Sequence, residues 1–215
     1  MDIYEKSQKT LKEIIGAQKK FGFKIILIGG WAVYCYNSYM KSKDIDFLIG
    51  RGDFWKLENF LDSMGFRRTG EVLEKRGFAM LIGDEKIELD VYDDKIGGLK
   101  VRGIFDKKLF AARSFNGEKV SVVDLSVLVA LKAISGAERI GTAKGMKDMS
   151  DILALFDKFY DRIDFKAVDE LAGREKVRHV ASIVFSDYKR IKNLYPMGFL
   201  KFEKIRKSLK SRYSF

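Results

Sequence analysis

Two acids separated by a single residue lie inside an apolar string, and a pair of glycines precedes them. Asp44 and Asp46 belong to the string DIDFLI, and Gly29 and Gly30 belong to IGGWAV. Because residues i and i+2 of a β-strand point to the same face, we expect the two carboxylates to lie side by side while Ile45 faces a core. Two carboxylates that close repel each other unless they share a cation. Mg²⁺ prefers oxygen ligands, so the pair predicts a platform for a divalent metal ion.

The two glycines are expected at a turn between a buried strand and a helix. Without a Cβ atom, the backbone at Gly29 and Gly30 can approach a ligand closely. The N-terminus of the following helix offers free N–H groups that suit phosphate, so the combined pattern predicts a site for a nucleoside triphosphate with its Mg²⁺. A Rossmann turn is disfavoured, because a G-x-G-x-x-G run is absent. A purely structural turn followed by two solvated acids remains the alternative.

A third acid that could complete the site lies further along the chain. The string KIELDVY alternates apolar and polar residues, so Glu88 and Asp90 are expected on the same face of a strand. Asp90 is the first candidate and Glu88 the second. Three carboxylates that bridge two metal ions can stabilise an in-line displacement at phosphorus. The alternative for Asp90 is an ordinary solvent-facing strand residue.

Apolar spacing predicts the order α-β-α-β-α-β-β-β for the first half, which favours an α/β (α+β) fold with a mixed sheet and flanking helices. The expected helices are 4–21, 31–39 and 53–64, and the expected strands are 24–28, 45–49, 67–73, 78–82 and 86–92. We expect a hairpin turn at residues 75–77, irregular or short-stranded chain over 105–122, and a turn at Asn116-Gly117. A C-terminal helical bundle follows, with expected helices at 124–135, 147–160, 164–171, 175–193 and 199–212. The predicted domains are therefore 1–123 and 124–215.

Composition narrows the class of protein. The formal net charge of +11 over 215 residues predicts attraction to polyanions. Cys35 and His179 are single residues of their types, which nearly excludes a Cys/His zinc site or a Cys–His nucleophilic pair. A lone cysteine favours an intracellular, cytoplasmic location. We find no signal peptide and no apolar run of membrane-spanning length, so no membrane association is expected.

The glycine pair, the acid pair and the later ELDVY strand together resemble the nucleotidyltransferase superfamily whose best-known member is DNA polymerase β. The resemblance places Gly29 and Gly30 on the triphosphate and Asp44, Asp46 and Asp90 on Mg²⁺, in a two-metal site. It implies transfer of a nucleoside monophosphate from an NTP to an acceptor hydroxyl, with release of pyrophosphate. Many members have Ser where this chain has Gly30, which leaves the triphosphate contact to backbone amides.

The string VSVVDLSVLVALKAISGAERIGTAKGMKDMSDILALF is similar to the corresponding segment of AbiEii-type nucleotidyltransferases, the toxins of type IV toxin–antitoxin pairs. The likeness, which covers about residues 24–160, implies that Lys132 and Arg139 bind the nucleotide and that Lys132 and Asp148 are catalytic, with Asp151 as the alternate acid. It also implies a tRNA or other RNA acceptor and a cognate antitoxin. Read from the residues alone, Asp148 and Asp151 favour a salt-bridged helix start without a catalytic role.

The C-terminal segment bears on the acceptor. Residues 188–215 are rich in Lys, Arg and aromatic residues, with Glu203 as their only acid. This composition suits an RNA partner, and it also suits an amphipathic terminal helix with solvated lysines. The acceptor alternatives are RNA, a small hydroxylated molecule (since the motifs also resemble aminoglycoside and lincosamide nucleotidyltransferases) and a protein side chain. A non-catalytic nucleotide- or RNA-binding module is the alternative from another class.

Overall fold

The computed structural model of the protein describes residues 2–72 and 74–215. The chain divides into two compact units, Met1–Asp124 and Leu125–Phe215. The first unit combines a mixed sheet with helices and the second is helical, which confirms the fold class expected from the sequence. Across the described residues, every helix is too short or too polar to cross a bilayer.

A seven-stranded mixed sheet forms the centre of the first unit, in the order β3-β4-β5-β2-β1-β9-β8. The strands of the unit are β1 (Ile25–Ile28), β2 (Ile45–Ile49), β3 (Arg67–Val72), β4 (Lys75–Ile82), β5 (Glu85–Tyr92), β6 (Lys95–Ile96), β7 (Leu99–Lys100), β8 (Phe110–Phe115) and β9 (Glu118–Val123). Strands β6 and β7 pair separately. The β2 strand runs antiparallel to β1 and parallel to β5. Both β1 and β2 are almost wholly buried, as their apolar runs predict for central strands.

The helices of the first unit are α1 (Ile3–Phe21), α2 (Gly29–Tyr36), α3 (Phe54–Ser63) and α4 (Val101–Asp106). Two hydrogen bonds fix α2, which connects the glycine pair to the acid pair. Near its start, Trp31 Nε1 donates to Ser7 Oγ of α1 at 3.0 Å. At its end, Tyr36 Oη donates to the Val123 carbonyl oxygen of β9 at 2.9 Å. The short helix is therefore held at both ends by buried contacts.

The second unit consists of α5 (Leu125–Glu138), α6 (Ala143–Phe159), α7 (Phe165–Ala172), α8 (Arg174–Val184), α9 (Tyr188–Lys192) and α10 (Phe199–Tyr213). Helix α5 contacts α6, α7 and α8 and is buried along nearly its whole length, as expected for a helix that is apolar on all sides. Phe185, which follows α8, stacks against Phe156 and Phe202 at ring-centroid distances of 6.0 Å and 5.3 Å.

The structure corrects the position of the first hairpin. Residues 75–77 lie in β4 rather than in a turn, and the β3–β4 connection falls at 73–74, of which Leu73 lies outside the described residues. The misleading residue is Gly77, which looks like a turn glycine. In the structure Gly77 lies inside β4. The close approach of Thr69 favours a glycine there, because a Cβ would come within 2.6 Å of Thr69 Oγ1.

Three further elements differ from the sequence prediction. The expected helix 31–39 begins earlier, at Gly29, and ends at Tyr36. The stretch 105–122, expected to be irregular or short-stranded, contains the β8–β9 hairpin except for Val123, and the expected turn residues Asn116 and Gly117 both have positive φ, as a type I′ turn requires. The expected helix 175–193 divides into α8 and α9, because the Asp187 side chain caps α9 by accepting from the Lys189 N–H at 2.8 Å.

Gly145 tests the packing of the α5–α6 connection. A Cβ at Gly145 would overlap the backbone carbonyl oxygen of Arg139, which already accepts from Thr142 Oγ1 at 2.8 Å. We expect Gly145→Ala to destabilise the protein by about 1–3 kcal/mol, measured as a lower midpoint of thermal unfolding. Gly103→Ala, inside α4 with nothing within 4 Å of the new Cβ, is the control and should be neutral or slightly stabilising. Equal midpoints for the two variants would contradict this packing.

Candidate functional site

The sheet register brings the predicted acids of β2 and β5 together. Asp46 pairs with Asp90 across the parallel β2–β5 ladder, and with Ile28 across the antiparallel β1–β2 ladder. Residues that are paired across a ladder share a face, so the carboxylates of Asp46 and Asp90 lie on the same face of the sheet. Their strand neighbours Ile45 and Leu89 are fully buried on the other face. Two of the three predicted acids are therefore neighbours in space.

Gly29 packs directly against Asp46. Its φ is +65°, a conformation that favours glycine, and a Cβ at this position would overlap Asp46 Oδ2. Gly29 is also the first residue of α2, and Ile28 at the N-cap provides no side-chain hydrogen bond to the first turn. The glycine pair and the second acid thus form one local arrangement at the end of β1. Gly30 follows in the helix and is buried.

Asp44 lies just before β2, in a bend, and its side chain is half-buried. The predicted i, i+2 pair therefore straddles the beginning of the strand. Carboxylate oxygens are the donors that Mg²⁺ prefers, and Mg²⁺ ordinarily takes one or two carboxylates together with waters and substrate phosphates. The donors present suit that chemistry. Within residues 2–72 and 74–215, however, no three His, Cys, Asp or Glu side chains are already gathered as a metal cage.

Asp90 has a basic partner that the sequence reasoning missed. Lys75 Nζ of β4 lies 2.6 Å from Asp90 Oδ2. Lys75, Thr69, Gly77, Glu88 and Asp90 line a cavity of about 180 Å³ together with Gly70 and Phe78. Alternation along β4 puts Lys75 on the same face as Gly77, and the β4–β5 register, which pairs Gly77 with Asp90, then brings Lys75 beside Asp90.

Glu88, the second candidate for the third acid, lies on the same strand face as Asp90 and lines the same cavity. It accepts a hydrogen bond from Lys86 Nζ at 2.7 Å, and about 44% of its side chain is exposed. Glu88 pairs with Ala79 of β4, whereas Asp90 pairs with Asp46 of β2. The register therefore favours Asp90 over Glu88 as the third acid.

The predicted residues of the second unit form a buried ion-pair cluster. Lys132 Nζ of α5 lies 3.0 Å from Asp148 Oδ1 and 2.6 Å from Asp151 Oδ2 of α6. These three residues are only 8%, 3% and 4% exposed. Burial by itself would lower the pKa of Lys132, but the Asp151 and Asp148 carboxylates raise it above its ordinary value. Lys132 is thus a buried, permanently charged link between α5 and α6.

Arg139 is the accessible member of this cluster. Its Nη2 donates to Asp148 Oδ2 at 2.7 Å, and 41% of its side chain is exposed. The turn that carries it is tightly built, because Thr142 Oγ1 donates to the Arg139 carbonyl oxygen and accepts from the Gly145 N–H at 3.0 Å. The contacts of Thr142 hold the backbone of Arg139, and the hydrogen bond to Asp148 orients its guanidinium.

Helix α10 separates its aromatic and basic residues. Phe202 and Tyr213 are buried with Ile205 and Leu209 in the core of the unit. Lys201, Lys204, Lys207 and Lys210 are exposed. The aromatic residues of this helix, apart from the half-exposed Phe199, therefore stabilise the bundle rather than offer a stacking surface.

Cys35 and His179 occupy ordinary positions. Burial raises the pKa of the Cys35 thiol to about 12, although the nearby Arg113 acts in the opposite direction. His179 is exposed on α8. Neither residue has the environment of a nucleophile.

Comparisons with known proteins add a family and a fold. Residues 6–187 match a family model described as "Uncharacterised nucleotidyltransferase". No curated protein matches the chain.

Solved structures with a similar fold include two of ANT(2'')-Ia. A solution structure of this antibiotic-resistance factor has a TM-score of 0.55 and 17% identity, covering 88% of this chain and 96% of that one. A crystal structure of ANT(2")-Ia in complex with adenylyl-2"-tobramycin has a TM-score of 0.51 and 17% identity, covering 96% and 98%. An antigenic nucleotidyltransferase-like protein from Paracoccidioides brasiliensis has a TM-score of 0.55 and 14% identity, covering 88% and 92%. At these identities the likeness concerns the fold.

Lys132→Met tests the buried cluster. The substitution leaves the carboxylates of Asp148 and Asp151 without the Lys132 ammonium, so we expect a loss of about 3–5 kcal/mol in the free energy of unfolding, measured by urea denaturation. Adding Asp151→Asn should restore part of the loss, because one unpaired charge is removed. Lys158→Met is the control, since Lys158 is 57% exposed and lies 3.9 Å from Asp157. Similar losses for the Lys132 and Lys158 variants would refute the structural role.

Cys35 provides a test of burial in the first unit. A pKa of about 12 in place of 9.0 leaves roughly 1000-fold less thiolate in neutral or mildly alkaline buffer. We expect the folded protein to react slowly with a disulfide reagent at a mildly alkaline pH, and the unfolded protein in guanidinium to react at the rate of a free thiol. Rapid labelling of the folded protein would contradict the position of Cys35.

Proposed function

The chain belongs to the family of uncharacterised nucleotidyltransferases, and from this premise we propose that it moves a nucleoside monophosphate from an NTP to an acceptor hydroxyl with the help of Mg²⁺. In this reaction the acceptor oxygen forms a bond to the α-phosphorus, the bond to pyrophosphate breaks, and the acceptor proton moves to a base. The observation that carries the proposal is the placement of Asp46 against Gly29 and beside Asp90 on one sheet face.

Each residue of this arrangement has a proposed role. Asp44 and Asp46 hold Mg²⁺, which would neutralise charge on the triphosphate and orient it. The backbone N–H groups that follow Gly29 and Gly30 bind the triphosphate at the N-terminus of α2. Asp90 accepts the proton of the acceptor hydroxyl, for which its position beside Asp46 is suited.

Roles in the second unit follow from accessibility. The likeness to AbiEii-type proteins implies that Lys132 contacts phosphate and that Asp148 is catalytic, but both are buried and paired with each other. We therefore assign the phosphate contact to Arg139, whose guanidinium is partly exposed. Lys132 and Asp148 act through Arg139 as positioning residues, with Asp151 holding Lys132.

Two acceptor classes have support from separate observations. The exposed lysines of α10 favour RNA, the acceptor that an AbiEii-type toxin with a cognate antitoxin would use. The cavity of about 180 Å³ beside Asp90 suits a small hydroxylated molecule, and a neighbour of the same fold was crystallised with adenylyl-2"-tobramycin. We place RNA first and the small molecule second. A nucleotide-binding module without turnover is the remaining class.

Alanine at Asp44 or Asp46 should abolish transfer while leaving the fold intact. Loss of a direct metal ligand costs more than the roughly 10–100-fold typical of an outer-shell partner, so we expect the transfer rate to fall by more than about 100-fold. The measurement is the release of pyrophosphate and the movement of label from each α-labelled NTP. The control is Asp84→Ala, in the exposed β4–β5 turn. A rate near that of the wild type in either the Asp44 or the Asp46 variant would show that the mechanism is wrong.

Neutralising the exposed lysines of α10 distinguishes the acceptors. We expect that replacing Lys201, Lys204, Lys207 and Lys210 by Gln weakens transfer to total RNA about tenfold or more and flattens its salt dependence. Replacing Lys9, Lys12, Lys19 and Lys20 of α1 by Gln is a control of equal charge, since these lysines are also exposed. Label that appears on small hydroxylated molecules and never on RNA would select the second acceptor class. Binding of Mg²⁺ and NTP without transfer to either RNA or small hydroxylated molecules would select the non-catalytic class.

A further inference from the structure

A row of polar positions crosses the sheet from β2 to β3 on the face that carries the acids. Asp46 pairs with Asp90, and Asp90 pairs with Gly77 of β4. Gly77 has no side chain, and a Cβ there would lie 2.6 Å from Thr69 Oγ1 and 3.8 Å from Asp90 Oδ1. The missing Cβ leaves room for the Thr69 hydroxyl, and the cavity of about 180 Å³ beside Asp90 is lined by Lys75 of β4 as well.

Lys75 is the side chain that reaches this space. It lies two residues before Gly77 on the same strand face, diagonal to Asp90 across the β4–β5 ladder. Its ammonium is 2.6 Å from Asp90 Oδ2. Lys75 also lines a second cavity, where four other acids lie within its surroundings: Glu71, Glu74, Asp93 and Asp94. The next residue, Arg76, forms an ion pair with Asp93, with Nη2 2.9 Å from Oδ2. The two basic residues of β4 are thus assigned to different carboxylates.

The carboxylates of the described residues are not gathered into a site for two divalent ions. In the part of the chain that the structure describes, no set of three candidate ligands is gathered around one point. One Mg²⁺ needs only one or two carboxylates once a triphosphate contributes oxygens. A second ion bound at Asp90 would compete for this carboxylate with Lys75, which contacts its Oδ2 at 2.6 Å.

We propose that Lys75 supplies the positive charge that a second divalent ion would otherwise place beside Asp90, so that the site takes a single Mg²⁺ with its nucleotide. The inference rests on the proposed function and concerns this chain's own residues. An ammonium at this position forms a charge-assisted hydrogen bond with Asp90, and it needs no additional carboxylate ligand. Removing it should open the Asp90 oxygen to a metal ion.

The test counts bound ions rather than turnover. Electron paramagnetic resonance of Mn²⁺, with saturating α,β-methylene analogues of the four NTPs, gives the number of ions bound per chain. We expect one ion for the wild type and two for Lys75→Met. Lys86→Met is the matched control and should retain one ion. Lys86 lies in β5, is similarly exposed, and pairs at 2.7 Å with Glu88 of the same strand rather than with Asp90.

The outcomes separate this inference from the proposed function. Two ions in the wild type, or one ion in Lys75→Met, would overturn the role of Lys75 while leaving nucleotidyl transfer in place. Two ions in both Lys75→Met and Lys86→Met would attribute the change to net charge and would likewise overturn it. An ion count in Asp46→Ala equal to that of the wild type would instead remove the metal site on which the proposed function depends.

Discussion

The contact between the Asp46 carboxylate and the backbone of Gly29 is the constraint on which the rest of the first unit depends. It exists because β1 and β2 are antiparallel neighbours, so that the end of β1 and the start of β2 meet at Ile28 and Asp46. A residue with a Cβ cannot occupy position 29 without displacing the acid. The contact thereby fixes the distance between the first turn of α2 and the Asp46 carboxylate, for which we propose a role in binding Mg²⁺. Trp31 and Tyr36 then hold α2 against α1 and β9.

The two units solve the problem of half-buried and buried acids in the same way. In the first, Lys75 and Arg76 neutralise Asp90 and Asp93. In the second, Lys132 neutralises two carboxylates of α6 at once. A buried charge without a partner costs several kcal/mol, so each of these acids requires its base. The difference lies in exposure: the Lys75 side chain is 42% exposed, whereas Lys132 is only 8% exposed.

Local pattern was sufficient for the elements and for the placement of single residues on a face. Alternation in KIELDVY correctly put Asp90 and Glu88 on one face, and apolar runs located β1, β2 and α5. Pairing between β2 and β5 could not be read in this way, because a parallel register is set by the packing of everything between the two strands. The same limit hid Lys75, since its partner is known only once the β4–β5 register is known. Burial of Lys132 by Asp148 and Asp151 also depends on helix packing that spacing alone does not give.

The proposed function requires one chain both to attract a polyanion and to bind a divalent cation. The net charge of +11 comes largely from exposed lysines, such as those on α1 and α10. Such charges draw a triphosphate or a nucleic acid toward the protein over about a Debye length, but at longer range salt screens them. Asp44 and Asp46, the proposed Mg²⁺ ligands, lie instead at the beginning of a buried strand, so that their charges act locally. A basic surface is therefore compatible with the proposed acidic site. The lysines would act at long range on the negative charge of the nucleotide, whereas Asp44 and Asp46 would act at short range on its metal ion.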